Sequence, residues 1–541
     1  MISFCISVLI TIVSGIILNY CFLPAWNIRS IGLWGFVFAL LFIFGVAYII
    51  SESLRGKEDK KTFIIGCAPM SICLLAMLIC AVPGMKIFNA ANYSSIAEIT
   101  IGNWNEDIES VSSIDNIALM DTDTAAVFGE RKLGSLSDIV SQYTLSENYT
   151  QINYSGSPMK VAPLEYASFW KWIANKKAGI PGYIMVDPVN TEAKFVRLEN
   201  GIKYSPADMF SRDLSRVLRK EYPTYIFGDS YFEIDEDGNP YWVTSVQKPT
   251  IGVFSGKEIQ GAVVLNASTG ESQYYKTSEI PEWVDVVYDG DYICERVNWN
   301  GMLKNGFWNS VFSAKGCTQC TDDYGYVTID SDIWIYTGIT SATSDSSNIG
   351  VILANERTGE IKYYEIAGAD EASAMEAAEG EAANYGYTAS FPSIINVNGE
   401  PTYIMVLKDA NNIVKEYAMV NVANYSKVVI AETQEEVFSK YANKMGFTDL
   451  AEDTDSDADA LNGDVTLTDV NFTINDIKFI VNDGDTTVYI YASDNKVYKS
   501  KFDEFWILAN VGDNVQAKCD DTKSNDSIIE IVEFRKQDTT E

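Results

Sequence analysis

Three apolar runs stand close together at the start of the chain: Ile2-SFCISVLITIVSGIILNYC-Phe22, Ile31-GLWGFVFALLFIFGVAYI-Ile50 and Phe63-IIGCAPMSICLLAMLICA-Val82. Each is about 20 residues long, which is the length of α-helix that crosses a hydrocarbon core roughly 30 Å thick. None of the three runs contains Asp, Glu, Lys or Arg, and a helix satisfies its own backbone hydrogen bonds within lipid. Residues 1–83 therefore predict a three-helix transmembrane anchor.

The loops between these runs predict the orientation of the chain. Ser51–Lys61 carries Arg55, Lys57, Lys60 and Lys61, whereas Leu23–Ser30 carries a single basic residue. Basic loops remain on the cytoplasmic side of a membrane. We therefore expect a cytoplasmic amino terminus in the cell membrane, with everything after Pro83 extracytoplasmic.

Composition excludes several classes of function. The chain has 74 acidic and 40 basic residues, and this net charge of −34 opposes binding to nucleic acid. It has no histidine, so Ser–His–Asp and Cys–His catalysis and zinc sites that need imidazole are excluded within one chain. Chemistry that needs only carboxylates, such as glycoside hydrolysis, stays open.

The cysteines beyond the apolar runs include one C-x-x-C pair, Cys317 and Cys320. This spacing suits redox exchange or half of a zinc site, but the sequence has no second pair to complete a zinc site. Outside a cell, Cys317 and Cys320 are more simply interpreted either as a short structural disulfide or as two incidental thiols.

A repeated pattern in the middle of the chain predicts β-hairpins. Gly261–Tyr275 aligns with Gly350–Tyr364, so that Asn266 matches Asn355 and both copies contain Thr-Gly-Glu followed by Tyr-Tyr. A weaker copy covers Tyr183–Val196. Each copy has an apolar strand, a turn and a second strand.

Helical sequence is expected after these hairpins. The predicted helices are Ser205–Tyr222, Ile280–Tyr288, Ala369–Tyr385 and Thr433–Met445, with a further amphipathic helix over Pro163–Lys176. Between the anchor and this region, alternating apolar residues predict strands at Ile114–Leu119 and Thr124–Phe128. The expected fold class is thus α+β: antiparallel sheets with helices on one face, in repeated units.

This order of strand, Thr-Gly-Glu turn, strand and helix resembles that of PepSY-type extracytoplasmic modules. The longer region is similar to a family of uncharacterised bacterial three-span membrane proteins with a large outer domain. The stretches that carry this second likeness are Pro163–Trp172, Lys203–Pro206, Gly306–Ser310 and Tyr336–Ser341. The first resemblance implies sheets packed on helices and the regulation of an extracytoplasmic peptidase; the second implies no known activity.

An acidic stretch follows the repeated region. Its acidic side chains fall at the spacing of an EF-hand-like calcium loop and are Asp453, Asp455, Asp457, Asp459 and Asp464. However, Ala458 stands where such a loop needs glycine for its sharp turn. A solvated linker is the favoured interpretation, with a Ca²⁺ site as the alternative and no other cofactor expected.

The last segment predicts a small all-β domain. Its expected strands are Val465–Ile474, Thr487–Ala492, Lys496–Phe502, Asn514–Cys519 and Ser527–Phe534, and five short strands in this order resemble an OB-like barrel. OB folds that bind nucleic acid use a basic groove, and the acidic composition of this chain opposes that use. A protein-contact or spacer barrel is therefore preferred.

These segments give a domain map of the chain. It comprises the anchor at 1–83, a membrane-proximal β-rich segment at 84–160, the repeated hairpin-plus-helix region at 161–446, the acidic linker at 447–463 and the OB-like barrel at 464–541. Gly and Ser on the first span, for example Ser14 and Gly15, allow a homo-oligomer.

Three classes of function remain after these exclusions. The leading hypothesis is a non-enzymatic, membrane-anchored module that contacts lipid through its spans and binds another envelope protein or a cell-wall polymer. The second is a regulator or inhibitor of an extracytoplasmic peptidase. The third is a carboxylate-dependent glycosidase with exposed tryptophans as sugar platforms, the candidates being Trp242, Trp283, Trp299, Trp308 and Trp334; core packing is the favoured explanation of those tryptophans.

Overall fold

The chain divides into two compact units, Met1–Met445 and Gly446–Glu541, which are described separately. The structure is a computed structural model. It describes residues 2–57, 59–114, 117–447, 450, 467–482, 485–494, 496–501, 509, 511–520 and 528–536. The acidic residues Asp453, Asp455, Asp457, Asp459 and Asp464, proposed as calcium ligands, lie outside these described residues.

The three apolar runs form three helices, as the sequence predicts: α1 (Ile2–Phe22), α2 (Ile31–Ser53) and α3 (Lys60–Ala81). All three are long and apolar enough to cross a membrane. α2 and α3 approach each other closely at Gly45 and Gly66. A Cβ atom added to Gly45 would lie 2.4 Å from the carbonyl oxygen of Gly66, so the approach requires glycine there. Gly15 of α1 faces Leu40 of α2 within the same chain.

The connection between α1 and α2 packs against the residues that follow the anchor. The backbone N–H of Trp26 donates to the carbonyl oxygen of Pro223 at 2.8 Å. Arg219 Nε donates to the carbonyl oxygen of Leu23 at 3.0 Å, and Arg29 Nη1 donates to that of Pro249 at 2.9 Å. Since successive spans run in opposite directions, the basic α2–α3 loop lies at the other end of the helix bundle.

Four sheets, antiparallel except for one strand pair, make up most of the first unit. Sheet I contains β2 (Tyr143–Leu145), β3 (Thr150–Tyr154), β4 (Ser157–Tyr166), β5 (Ile180–Asp187) and β6 (Glu192–Ile202). Sheet II contains β7 (Ile226–Ile234), β8 (Pro240–Ile251), β9 (Ser255–Asn266) and β10 (Ser272–Lys276). Sheet III contains β1 (Ile99–Ile101), β11 (Thr318–Cys320), β12 (Gly325–Ile329), β13 (Asp332–Ser341), β14 (Ser344–Asn355) and β15 (Ile361–Tyr364), and in it β1 pairs with β15 in parallel. Sheet IV contains β16 (Thr388–Ala389), β17 (Ser393–Val397), β18 (Glu400–Lys408), β19 (Val414–Asn421) and β20 (Val428–Ala431).

Nine helices accompany these sheets in the described part of the first unit. They are α4 (Lys86–Ser94), α5 (Trp104–Asp107), α6 (Thr122–Gly134), α7 (Phe169–Asn175), α8 (Leu214–Glu221), α9 (Gly290–Leu303), α10 (Phe307–Phe312), α11 (Glu371–Glu381) and α12 (Gln434–Met445). The sequence-based prediction of antiparallel sheets combined with helices is confirmed at this level.

Several predicted boundaries are wrong, and side-chain caps explain most of the differences. Thr124–Phe128 is helical in α6, not a strand, because Asp121 accepts a hydrogen bond from the Thr124 N–H and caps that helix. Likewise Ile280–Tyr288 is not helical, and α9 begins only after its cap at Asp289. The helix expected from Pro163 begins at Phe169, since β4 runs on to Tyr166. Segment 84–160, expected to be β-rich, contains α4, α5 and α6.

The two hairpins that match in sequence make the same turn. Asn266 Oδ1 accepts hydrogen bonds from the N–H groups of residues 268 and 269 at 3.0 and 2.9 Å, and Asn355 Oδ1 accepts from those of residues 357 and 358, both at 2.9 Å. A glycine with positive φ closes each turn, Gly270 at +80° and Gly359 at +76°. These are Asx turns, in which a short side chain replaces a backbone acceptor.

Two large cores hold the sheets in pairs. The first joins apolar residues of sheets I and II and is sealed by α6 and α8; its fully buried members include Val161, Ile184 and Leu265. The second joins sheets III and IV over the alanine face of α11 and includes Val351 and Met405. Several of these strands carry continuous apolar runs that are buried along their whole length, such as Ala262–Leu265 in β9 and Tyr403–Leu407 in β18, which is the pattern of a strand covered on both faces.

The second unit contains a closed barrel. Its strands are β21 (Leu467–Asn482), β22 (Asp485–Ala492), β23 (Val497–Lys501), β24 (Asn514–Asp520) and β25 (Ile528–Lys536), in the order β21-β22-β23-β25-β24. β23 and β25 pair in parallel, and the other neighbours are antiparallel. Phe472 stacks on Tyr498 in the core, with their ring centroids 4.3 Å apart.

Candidate functional site

A polar cavity of about 930 Å³ opens between sheets I, III and IV. The first turns of α6 and α11 form part of its wall, and the loop between β11 and β12 and the end of β18 form the rest. Its chemistry-bearing lining residues are Asp121, Asp123, Gln151, Lys160, Gln319, Thr321, Asp322, Asp323, Tyr324, Tyr326, Asp370, Glu371, Ser390, Phe391, Lys408, Asp409 and Asn412.

Lys160 is the more deeply buried of the two lysines that line this cavity. It comes from β4 and is 3% exposed. Its Nζ has one weak hydrogen bond, to Thr122 Oγ1 at 3.4 Å, and lies 5.4 Å from the centre of the Tyr326 ring. Burial lowers the pKa of Lys160 to about 8, although the nearby carboxylates of Asp121 and Glu356 act in the opposite direction. Most of the lysine is therefore charged at neutral pH and has donors to spare for a ligand.

The second lysine, Lys408, is paired. It forms an ion pair with Asp121 Oδ2, while Asp121 Oδ1 accepts the capping hydrogen bond from Thr124 N at 2.9 Å. Burial by itself raises the pKa of Asp121, but the hydrogen bonds from Lys408 and Thr124 outweigh it and the net shift is downward. Asp121 is therefore an ionised carboxylate at the N-terminus of α6.

Glu371, the first residue of α11, behaves in the opposite way. It is 2% exposed, and its Oε1 accepts a hydrogen bond from the Gly338 N–H at 2.7 Å. Burial raises the pKa of Glu371, and burial also raises the pKa of Asp323 on the same wall. The cavity therefore holds carboxyl groups with opposite tendencies to ionise, one of them beside a buried ammonium group.

The lining as a whole suits a ligand rich in hydroxyl groups. Carboxylates and amides such as Gln151, Gln319 and Asn412 offer many hydrogen-bond acceptors and donors, and Tyr324 and Phe391 offer flat apolar faces. Acidic side chains outnumber the two lysines, which opposes the binding of a polyanion. Among the described residues there is no group of three His, Cys, Asp or Glu side chains placed to hold a metal ion.

A cluster of buried acids lies behind Lys160. Glu233 accepts hydrogen bonds from the N–H groups of Asp285 and Val286 at 2.8 and 3.0 Å, and burial raises the pKa of Glu233 to about 8. Burial also raises the pKa of Asp285 and of Glu356, and the charges of these neighbours add to the shift. Several carboxyls this close together and out of water cannot all be ionised, so the cluster holds protons at neutral pH.

The residues singled out from the sequence lie elsewhere. Cys317 and Cys320 are free, buried thiols in the structure. Cys317 Sγ contacts the Met302 carbonyl oxygen at 3.5 Å, and Cys320 Sγ contacts the Cys294 carbonyl oxygen at 3.9 Å. Met302 and Cys294 lie about two turns apart on α9. A disulfide between Cys317 and Cys320 stays a prediction.

The expectation of exposed tryptophan platforms is wrong for three of the five candidates. Trp242, Trp299 and Trp334 are buried, as core packing requires, and Trp308 is the exposed one. None of the five lines the cavity.

Sequence reasoning missed the residues that do line the cavity. Lys160 and Lys408 each stand in or at the end of an apolar strand, Lys160-VAPL-Glu165 and Tyr403-IMVL-Lys408. A charged residue in such a run is a signal of a buried or functional position, since burying an unpaired charge is costly. The sequence puts Asp121 between two predicted strands and Glu371 in a predicted helix, and nothing in either pattern indicates that the two side chains lie in one cavity.

Comparisons with known proteins do not identify this chain. No family model and no curated protein matches it. Among solved structures, an α-L-arabinofuranosidase from Lactobacillus brevis shares 7% identity over 69% of this chain and 89% of its own, with a TM-score of 0.16. An endo-arabinase from Bacteroides thetaiotaomicron shares 13% over 53% and 74%, with a TM-score of 0.16. A levansucrase variant from B. megaterium shares 8% over 80% and 99%, again at 0.16. TM-scores this low support no argument about fold or function.

Proposed function

We propose that this protein is a non-enzymatic, membrane-anchored binding module that holds a hydroxyl-rich segment of an envelope polymer in the cavity between sheets I, III and IV. The observation that carries the proposal is Lys160. Its ammonium group is buried at the cavity wall with one weak hydrogen bond, and a buried donor without good partners is costly unless a ligand satisfies it.

The packing of the anchor supports an extracytoplasmic location for the cavity. The α1–α2 connection contacts the sheet unit, through Arg219 and Leu23 for example, so the unit lies at that end of the spans. Arg55, Lys57, Lys60 and Lys61 lie at the opposite end, and basic loops favour the cytoplasm. The sheets then belong outside.

The finer assignments of fold are part of the same proposal. The shared turn of Asn266 and Asn355 supports a repeated hairpin unit of the PepSY-like kind, and Asp187 accepts two backbone N–H bonds in the same way. The barrel order β21-β22-β23-β25-β24, with its parallel β23–β25 pair, supports an OB-like barrel, which we propose serves as a spacer or protein contact.

The test is binding of soluble cell-wall glycan fragments and neutral oligosaccharides to the full chain in detergent. We expect Lys160→Met to weaken binding at least about tenfold, or ~1.4 kcal/mol, because it removes the ammonium donor and keeps most of the length of the side chain. Lys194→Met, at an exposed lysine of β6, is the matched control and should bind as the wild type does. Asp323→Asn provides a second cavity variant that leaves Lys160 in place.

Unchanged affinity in both cavity variants would contradict the proposal, provided that their thermal unfolding matches the wild type. Binding that is lost equally in Lys194→Met would contradict it too, because the contact would then lie outside the cavity.

A carboxylate-dependent glycosidase is the second candidate, and one observation favours it. Asp121, with its pKa lowered, and Glu371, with its pKa raised, share the cavity, and an ionised and a protonated carboxyl are the pair that such hydrolysis uses. Under this alternative, release of reducing sugar from a bound glycan is lost in Asp121→Asn and in Glu371→Gln. Binding without any release favours the non-enzymatic module.

A further inference from the structure

Two groups of exposed aromatic and aliphatic side chains flank the end of the anchor. The α7 patch consists of Phe169, Trp170, Ile173 and Phe210, and the α10 patch consists of Met85, Phe88, Trp308, Val311 and Phe312. Trp170 is 74% exposed and Phe312 is 80% exposed, values that are unusual for large apolar side chains in water. Among the aromatic side chains of α7, Trp172 is the buried one.

The α7 patch is tied to the end of α1 by one arginine. The guanidinium group of Arg216 lies 4.7 Å from the centre of the Tyr20 ring, in the last turn of α1. The same group donates from Nη1 to the carbonyl oxygen of Phe210 at 3.5 Å. Phe210 packs on Trp172 of α7 with ring centroids 5.6 Å apart. The patch therefore lies level with the point at which α1 leaves the apolar layer.

The α10 patch is tied to the end of α3. A short turn links Ala81 to α4, which starts at Lys86 and carries Phe88. Tyr93 of α4 packs on Trp299 of α9 with ring centroids 4.8 Å apart, and Phe307 of α10 joins the same small core. Trp308 and Phe312 then stack on one another on its outer side, 5.7 Å apart.

The charges around both patches differ from those of the rest of the chain. Residues 168–178 contain Lys171, Lys176 and Lys177 and no acidic residue, and residues 303–316 contain Lys304 and Lys315 and no acidic residue. This occurs in a chain with a net charge of −34. Aromatic side chains bordered by lysines are typical of the headgroup region of a membrane, where the rings sit at the apolar boundary and the ammonium groups meet lipid phosphates.

We infer that α7 and α10 are interfacial helices that insert their aromatic side chains into the lipid leaflet next to the α1–α2 connection. The sheet unit is then held to the membrane surface at two points beside the spans, which fixes its tilt and the height of its cavity. This inference rests on the spans and not on the function proposed for the cavity. A second copy of the chain is a competing occupant of the patches, and the experiment separates the two.

The experiment measures tryptophan fluorescence of the full chain in nanodiscs that contain anionic lipid, with and without lipids brominated near the headgroup. Trp170→Phe and Trp308→Phe keep each patch apolar, so the difference between wild-type and variant spectra reports one tryptophan. We expect brominated lipid to quench each difference signal by roughly half or more, as for an interfacial side chain. Lys177→Glu should reduce the quenching of Trp170, because it replaces a favourable headgroup contact by a repulsive one.

Trp283→Phe is the matched control. The Trp283 ring lies 4.8 Å from that of Tyr241, at the start of β8, whereas Ile251 at the other end of β8 lies next to the end of the anchor. Ten residues of strand separate them by roughly 33 Å, so the Trp283 signal should not be quenched. Unquenched Trp170 and Trp308 signals would overturn the inference, and so would discs that hold two copies with both patches shielded from lipid.

Discussion

The hairpins β9–β10 and β14–β15 are alike in backbone, and at the buried position after the turn asparagine an apolar side chain in one matches a carboxyl side chain in the other. In each, the residue after the turn asparagine accepts two backbone N–H bonds through its carbonyl oxygen: Ala267 from residues 203 and 204, and Glu356 from residues 287 and 288. In each, a tyrosine hydroxyl reaches back across the hairpin, Tyr274 to residue 260 and Tyr363 to residue 349. However, Ala267 is a methyl group in the core, whereas Glu356 places a carboxyl group there.

This difference shows which features the repeated sequence determines. Asparagine, threonine and glycine determine the turn, because each makes the same backbone contact in both copies. The side chain of the next residue, Ala267 or Glu356, takes no part in the turn, so it can be adapted to its surroundings. In sheet III, Glu356 lies among Lys160 and the other buried acids.

The largest effect that tests this comparison comes from the turn glycines. Gly270→Ala and Gly359→Ala should each lower the free energy of unfolding by about 2–4 kcal/mol, since a left-handed backbone strains alanine by about 1–2 kcal/mol. In addition, the new methyl group would lie 2.5 Å from the Tyr204 ring or 2.8 Å from the Tyr288 ring. Urea unfolding of the detergent-solubilised chain measures both.

Gly380→Ala is the control for these variants. Gly380 lies in α11, and no atom lies within 4 Å of the place that an alanine methyl group would take there, so this change should be neutral or slightly stabilising. The two losses of unfolding free energy should be similar. If Gly270→Ala and Gly359→Ala differ in this loss by more than their different tyrosine contacts explain, the two turns are not equivalent.

The asparagines should separate the two hairpins. Asn355 Nδ2 donates to Asp332 Oδ2 at 2.7 Å, so Asn355→Asp puts two carboxylates together and should cost about 1–3 kcal/mol, even though Arg357 is paired with Asp332. Asn266→Asp keeps the turn acceptor and should change stability by about 0.5 kcal/mol or less, as Asp187 already fills this role in sheet I. Equal losses in the same unfolding assay would refute the distinction.

The sequence predicts the parts of this molecule that depend on local patterns. The three spans follow from unbroken apolar runs, and the hairpins follow from apolar strands that end in Asn and a Thr-Gly turn. Helix starts are not predicted where an aspartate cap decides them, as at Asp121 and Asp289.

The cavity could not be predicted in this way. Asp121, Lys160, Glu371 and Lys408 come from distant segments, and only the packing of sheets I, III and IV brings them together. No spacing rule in a single sequence predicts that residues from distant segments will line one cavity. The isolated lysines in apolar strands are the one usable signal.

The pH dependence of stability tests the buried carboxyl group that stands in the second hairpin where the first has the methyl group of Ala267. Burial raises the pKa of Glu356 above its ordinary value of 4.5, so the folded chain keeps a proton that the unfolded chain releases as the pH rises. The free energy of unfolding should therefore fall as the pH rises above about 4.5, with Glu233 contributing up to its pKa of about 8. Glu356→Gln is neutral at every pH and should flatten this decline by up to about 1.4 kcal/mol per pH unit. Glu360→Gln, on the half-exposed glutamate of the same hairpin, should leave the slope unchanged. If melting temperatures between pH 5 and pH 8, a range set by those two pKa values, decline equally in the wild type and in Glu356→Gln, then Glu356 is ionised in the folded chain and its burial does not make stability depend on pH.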